Sequence, residues 1–207
     1  MAIRLGAAYI GLIFTRESPR CLSLPEAAEL LGGVWDEATD PKSVRPIGVF
    51  VQEPAHEIRN TIESLGLVAV QVHGEYSASD FASFGVPVIR AVRMKGPESH
   101  GEVVRALSDG PVVLDSFVEG KSGGTGKLFD HELAIPHIRR GQVFVAGGLN
   151  PENIADAAQR LSEAGALPYA FDVSSGLEVS PGIKSPIKMT RFFAALRGAL
   201  SEPGGGF

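Results

Sequence analysis

Seven short apolar runs, at 9–14, 46–51, 68–73, 87–91, 111–115, 142–146 and 169–173, are each separated from the next by enough chain for a helix. Runs of this kind read as strands buried on both faces. Strands alternating with helical segments build right-handed βαβ units and therefore a parallel sheet. The intervening segments carry helix signals: Ser23-Leu24-Pro25-Glu26 has capping-box spacing, and Asn150-Pro151 and Ser185-Pro186 each set a capping residue before a proline at the first helical position. Ile58, Ile62 and Leu65 share one helical face, as do Ile154, Ala158 and Leu161, and Met189, Phe193, Leu196 and Leu200, and all three sets read as core positions. After Leu200 the polar, glycine-rich end lacks an apolar face. The chain is read as one domain over 1–200 with a flexible tail at 201–207.

With 207 residues and 44% hydrophobic content the chain is long enough for one substantial core, burying roughly 70% of its unfolded surface. A net charge of -5 with interspersed signs provides no basic field, so neither nucleic acid nor an anionic membrane is expected as a partner. The single cysteine, Cys21, allows no intrachain disulfide and suits a reducing cytoplasm. Arg4 and the apolar stretch after it superficially resemble a secretory signal, yet no A-x-A pattern follows and the stretch is too short to span a bilayer. A cytoplasmic location is expected. The five histidines, His56, His73, His100, His131 and His137, form no helical i,i+4 pair and have no cysteine cluster beside them, so no metal site is expected.

The last three runs are each followed by a glycine-and-serine loop: Gly123-Gly124-Thr125-Gly126, Gly147-Gly148-Leu149-Asn150 and Ser174-Ser175-Gly176. Glycine lets backbone N–H groups approach an anion, and a helix starting just afterwards adds the positive end of its dipole. The expected ligand is a small molecule with a phosphate handle. Gly124, Gly126, Gly147, Gly148, Ser174, Ser175 and Gly176 are the candidate phosphate ligands, while Lys184 reads as a solvated lysine. Asp115 ends its run, on the face where barrel enzymes place catalytic groups, and Asp172 ends the last one. Gln71 and His73 alternate along a strand and so point to one side, either as inward site residues or as satisfied core polar groups.

An eight-stranded parallel barrel takes about 250 residues, with compact versions somewhat above 200. Only seven strands are countable, and residues 1–5 before Gly6 read as the last turn of a helix. The fold expected is a (β/α)8 TIM-type barrel that is N-terminally truncated, lacking its first strand and most of its first helix.

Eight segments occurring in order give the chain a family resemblance. They are 6–14, Ser18-Pro19-Arg20, Gly48-Val49-Phe50-Val51, Val70-Gln71-Val72-His73-Gly74-Glu75, Leu114-Asp115-Ser116, Gly123-Gly124-Thr125-Gly126 with Phe129-Asp130, 146–153 and Asp172-Val173-Ser174-Ser175-Gly176. Over nearly its whole length the chain resembles the phosphoribosylanthranilate isomerase family. The resemblance implies the Amadori rearrangement of N-(5′-phosphoribosyl)anthranilate to 1-(2-carboxyphenylamino)-1-deoxyribulose 5-phosphate in tryptophan biosynthesis, without metal or organic cofactor. It makes Asp115 the general acid, Arg20 the partner of the anthranilate carboxylate and Asp172 a carboxylate facing the substrate hydroxyls. The family's base is a cysteine in a Lys-Ile-Cys-Gly motif on the first strand. That motif does not occur in the sequence, and Cys21, on the loop after the family's second strand, does not match it. Two alternatives stand beside the isomerase: a catalytically impaired remnant that binds a phosphosugar, and another metal-independent phosphosugar isomerase or lyase. Either a monomer or a homodimer is compatible with the sequence.

Overall fold

A computed structural model describes residues 1–37, 45–116 and 131–201, grouped into two compact units at 1–90 and 91–207. The first unit opens with a single 3-10 turn, Ile3–Leu5, closed by Gly6 at φ 97°, whose N–H donates to the Ile3 carbonyl. That left-handed closure is the helix-end geometry expected of these residues. Strands β1 (Ile10–Ile13), β2 (Pro46–Phe50), β3 (Ala69–Val72) and the start of β4 (Val88–Met94) then pair in parallel and in chain order. Between them run α1 (Leu24–Glu37), α2 (Ala55–Leu65) and α3 (Ala78–Phe84).

The capping box at Ser23 forms as its spacing predicts: the Ser23 N–H donates to Glu26 Oε2 at 2.8 Å, and the Glu26 N–H donates to Ser23 Oγ at 3.4 Å. A second box, Ser77 with Asp80, starts α3. Ile58, Ile62 and Leu65 of α2 are buried together, and they pack with Leu12, Leu31, Phe50 and Val70 into the core of this unit.

In the second unit β5 (Val112–Ser116), β6 (Val143–Val145) and β7 (Ala170–Phe171) also pair in parallel and in chain order. The helices are α4 (His100–Asp109), α5 (Ile135–Ile138), α6 (Ile154–Glu163) and α7 (Pro186–Ser201). Val103, Val112, Leu114, Val143, Val145 and Leu161 centre the core. Seven parallel strands with helices between them make this an α/β fold, one strand to each apolar run.

Three local expectations are corrected. Asn150-Pro151 starts a turn rather than the helix: Asn150 Oδ1 accepts from the Glu152 N–H and Asn153 Oδ1 accepts from the Asn150 N–H, so α6 begins only at Ile154. On α7 the buried positions are Met189 and Phe192, whereas Leu200, read as core, is 45% exposed. Finally, β8 (Glu178–Ser180) and β9 (Ile183–Lys184) form an antiparallel ribbon turning through Pro181 and Gly182, the latter at φ 83°. None of the seven apolar runs covers this stretch.

Candidate active site

Within the second unit the strand register places the two candidate carboxylates. Leu114 pairs with Val145 and Val145 with Phe171, so the next row holds Asp115, Ala146 and Asp172. Hydrogen bonding continues through that row, the Ala146 N–H donating to the Leu114 carbonyl at 2.9 Å and the Asp172 N–H to the Val145 carbonyl at 2.8 Å. Residues of one row in a parallel sheet face the same side, which stands the two carboxyls two strand spacings, about 10 Å, apart at the backbone. Their charges interact. The Asp172 carboxyl is pushed up to about 6, first by withdrawal from water and then by the negative charge of Asp115, while the Lys184 ammonium pulls the other way. Its side chain is nonetheless exposed at the end of β7, so solvent screens these charges in part. Ionising both carboxylates is opposed by their mutual repulsion, the condition under which one of a pair keeps a proton near neutrality.

Two of the three glycine-and-serine loops lie beside this row. Gly147 and Gly148 adopt φ 85° and 68°, a left-handed pair that only glycine takes without strain. The Gly148 carbonyl is tied back by the side-chain amides of Asn153 (2.9 Å) and Asn150 (3.3 Å). Among the described residues no acceptor takes the N–H of Gly147, Gly148, Ser175 or Gly176. These donors are left for an anion or for water. The last loop itself winds into a 3-10 turn, Ser175–Leu177, and runs on into the β8–β9 ribbon, so the expected dipole of an adjoining α-helix is missing there. Gly124 and Gly126 lie outside the described residues.

Both loops are pressed together at Gly176. A Cβ there would stand 2.0 Å from the Leu149 carbonyl oxygen and 3.0 Å from Asn150 Cβ, and the first of these neighbours is backbone. Gly176→Ala is therefore expected to drive the two loops apart, lowering stability by about 1–3 kcal/mol and weakening inorganic phosphate binding. Urea unfolding with a phosphate titration checks this; an unchanged unfolding midpoint with unchanged affinity refutes the close packing.

In the first unit Gln71 and His73 share a side as their spacing predicts, with Nε2 atoms 3.1 Å apart, and both are half-buried. Arg20 is half-buried in the turn after β1, where its N–H donates to Ser18 Oγ at 3.2 Å. Cys21 neighbours it, and burial followed by the charge of Glu53 raises its thiol above the ordinary value, the wrong direction for a thiolate base. Glu53 itself escaped the sequence reading. Its Oε2 accepts from the Val51 N–H (2.7 Å), the Gln52 N–H (3.2 Å) and the Thr15 hydroxyl (3.3 Å), and its carbonyl accepts from the Tyr76 hydroxyl (3.1 Å). One residue thus fastens the loops that leave β1, β2 and β3. Burial and Glu53 push the Tyr76 phenol up to about 12. Among the described residues no group of three or more His, Cys, Asp or Glu is arranged to hold a metal ion, and no helix is long and apolar enough to cross a membrane.

Comparison with known proteins is consistent over nearly the whole length. A family described as N-(5′phosphoribosyl)anthranilate (PRA) isomerase matches residues 1–195. The N-(5′-phosphoribosyl)anthranilate isomerase of Geobacter sp. (strain M21) is 36% identical over 197 residues, covering 94% of this chain and 89% of that protein. The enzyme of the same name from Acidithiobacillus ferrooxidans is 37% identical over 198 residues, covering 95% and 90%. In structure the chain is similar to phosphoribosyl anthranilate isomerase from Thermotoga maritima, with a TM-score of 0.82, 30% identity and coverage of 95% and 91%. It is also similar to a phosphoribosyl anthranilate isomerase in complex with reduced 1-(o-carboxyphenylamino)-1-deoxyribulose 5-phosphate, with a TM-score of 0.78, 28% identity and the same coverage.

Proposed function

The chain belongs to the N-(5′-phosphoribosyl)anthranilate isomerase family of tryptophan biosynthesis, and on that premise we propose that it converts N-(5′-phosphoribosyl)anthranilate to 1-(2-carboxyphenylamino)-1-deoxyribulose 5-phosphate using the Asp115–Asp172 row. The observation that carries the proposal is this row of two interacting carboxyls next to two loops of uncommitted amides. Gly147, Gly148, Ser174, Ser175 and Gly176, with Gly124 and Gly126, hold the phosphate. That fixes the sugar beside Asp115. When the proton that the carboxyl pair keeps resides on Asp115, it passes to the ring oxygen, the bond from that oxygen to C1′ breaks, and a protonated anthranilate Schiff base forms. Transfer of the C2′ proton to a general base gives an enolamine, which takes up a proton at C1′, releases its C2′ hydroxyl proton and becomes the ketose. Asp172 accepts hydrogen bonds from the sugar hydroxyls; Arg20, whose planar fork suits the anthranilate carboxylate, and Gln71 and His73 are the candidate substrate-binding residues of the first unit.

The finer reading of the fold, a (β/α)8 barrel of which these residues hold seven strands, belongs to the same proposal and is supported by the chain-order parallel pairing within each unit. Residues 1–207 contain no Lys-Ile-Cys-Gly motif, and the raised thiol of Cys21 does not stand in for its cysteine. Incubation with N-(5′-phosphoribosyl)anthranilate tests the proposal directly. Saturable conversion to the ketose, inhibited by inorganic phosphate, is the expected result. Turnover of a different phosphosugar in its place overturns the substrate assignment, and saturable binding with no turnover identifies instead a phosphosugar binder lacking proton abstraction.

A further inference from the structure

Lys184, expected to be solvated, has its ammonium committed. Its Nζ donates to the Ser174 carbonyl at 2.9 Å, to Ser174 Oγ at 3.3 Å and to Glu178 Oε1 at 2.9 Å, so all three N–H bonds are used within the protein. The Glu178 side chain is only 5% exposed, and the Glu178 carbonyl is held in turn by Lys188 Nζ at 2.7 Å. An ammonium tied to a buried carboxylate and a backbone carbonyl is held in place even though the lysine side chain is 39% exposed.

We propose that Lys184 is a positioning residue, which clamps the loop after β7 through Ser174, two residues along the chain from Asp172, and thereby holds a positive charge near Asp172. The clamp has a chemical direction. A hydroxyl offers two lone pairs and one proton; the ammonium occupies a lone pair of Ser174 Oγ and leaves its proton to point elsewhere, toward the phosphate in the proposed site. Ser174 adjoins the uncommitted amides of Ser175 and Gly176 and lies two residues from Asp172, so one contact fixes both the anion donors and the end of β7. The charges acting on Asp172 are Asp115 from β5 and Lys184 from β9, of opposite sign. Lys184 acts through these neighbours and has no proton left for the substrate.

The inference rests on the phosphosugar reading of the site, and its test is chosen to stand apart from turnover. Glu178→Gln keeps the ammonium while neutralising the buried carboxylate; Glu178→Gln combined with Lys184→Met then removes the ammonium without stranding a buried charge, which is the change that would endanger folding. The carboxyl carbon of Asp172 is titrated by NMR in both, and inorganic phosphate affinity is measured. The double variant is expected to titrate at higher pH than Glu178→Gln and to bind phosphate about five- to tenfold more weakly, the loss associated with one hydrogen-bonded contact. Lys184→Arg, which preserves the charge, keeps the wild-type midpoint. An unchanged Asp172 midpoint in the double variant, or phosphate affinity within twofold of Glu178→Gln, overturns the inference. A chain that fails to isomerise its substrate yet shows both shifts overturns the proposed reaction and leaves the role of Lys184 standing.

Discussion

Asp115→Asn lowers kcat by about two to four orders of magnitude, the span associated with removing a positioned general acid. Asparagine keeps the size and the place in the row but has no proton to deliver to the ring oxygen. Because Asp115 lies within β5 and is not itself one of the phosphate donors, affinity for inorganic phosphate stays within a few-fold of the parent. A second effect has a defined sign. The negative charge of Asp115 raises the Asp172 carboxyl, so its removal lets Asp172 titrate below its present value of about 6. Single-turnover kinetics, a phosphate titration and NMR titration of Asp172 follow the three effects separately. An unimpaired rate rejects Asp115 as the acid, and an unmoved Asp172 rejects the interaction across the row.

The parts of this fold that the sequence made legible are those with a local cause. Ile58, Ile62 and Leu65 announce a buried helix face because residues three and four apart stack on one side, and Ser23 with Glu26 marks its helix start through bonds spanning three residues. Gln71 and His73 share a side because strand side chains alternate. What stayed hidden depends on register or on distant approach. That Asp115 and Asp172 occupy one row follows from pairing between three strands separated by whole helices, which no local pattern encodes. Gly176 looks like ordinary turn punctuation until the Leu149 carbonyl is brought against it. Thr15 lies 38 residues from Glu53, and Lys184 faces Ser174 only because the chain doubles back through Pro181-Gly182. That dipeptide is a turn signal, and the flanking Val179 and Ile183 make it the local cue to a short hairpin outside the seven apolar runs. On α7 a second aromatic next to Phe193 left the face ambiguous by one position, and packing chose Phe192.

Acidification should destabilise the folded chain through a histidine that the proposed chemistry does not use. His137 on α5 is 1% exposed, its Nδ1 has no hydrogen-bond partner among the described residues, and its ring lies 4.3 Å, centre to centre, from that of His100. Burial first, then the neighbouring His100 and Arg140, depresses it to about 4 from an ordinary 6.5. The folded state therefore holds this ring neutral where the unfolded chain protonates it. Stability from this source is complete above pH 6.5. It is lost as the pH falls toward about 4, at up to about 1.4 kcal/mol per pH unit and about 3 kcal/mol over the window, because in that range the unfolded state binds the extra proton. His137→Phe keeps a ring of similar size and carries no titrating nitrogen. Its unfolding free energy should fall less than the parent's between pH 7 and pH 4.5, and at pH 7 it should match or exceed the parent, since a buried unsatisfied nitrogen costs about 1–3 kcal/mol. Urea unfolding at the two pH values reads the difference. Equal acid losses in the two proteins would show that His137 is not the group responsible.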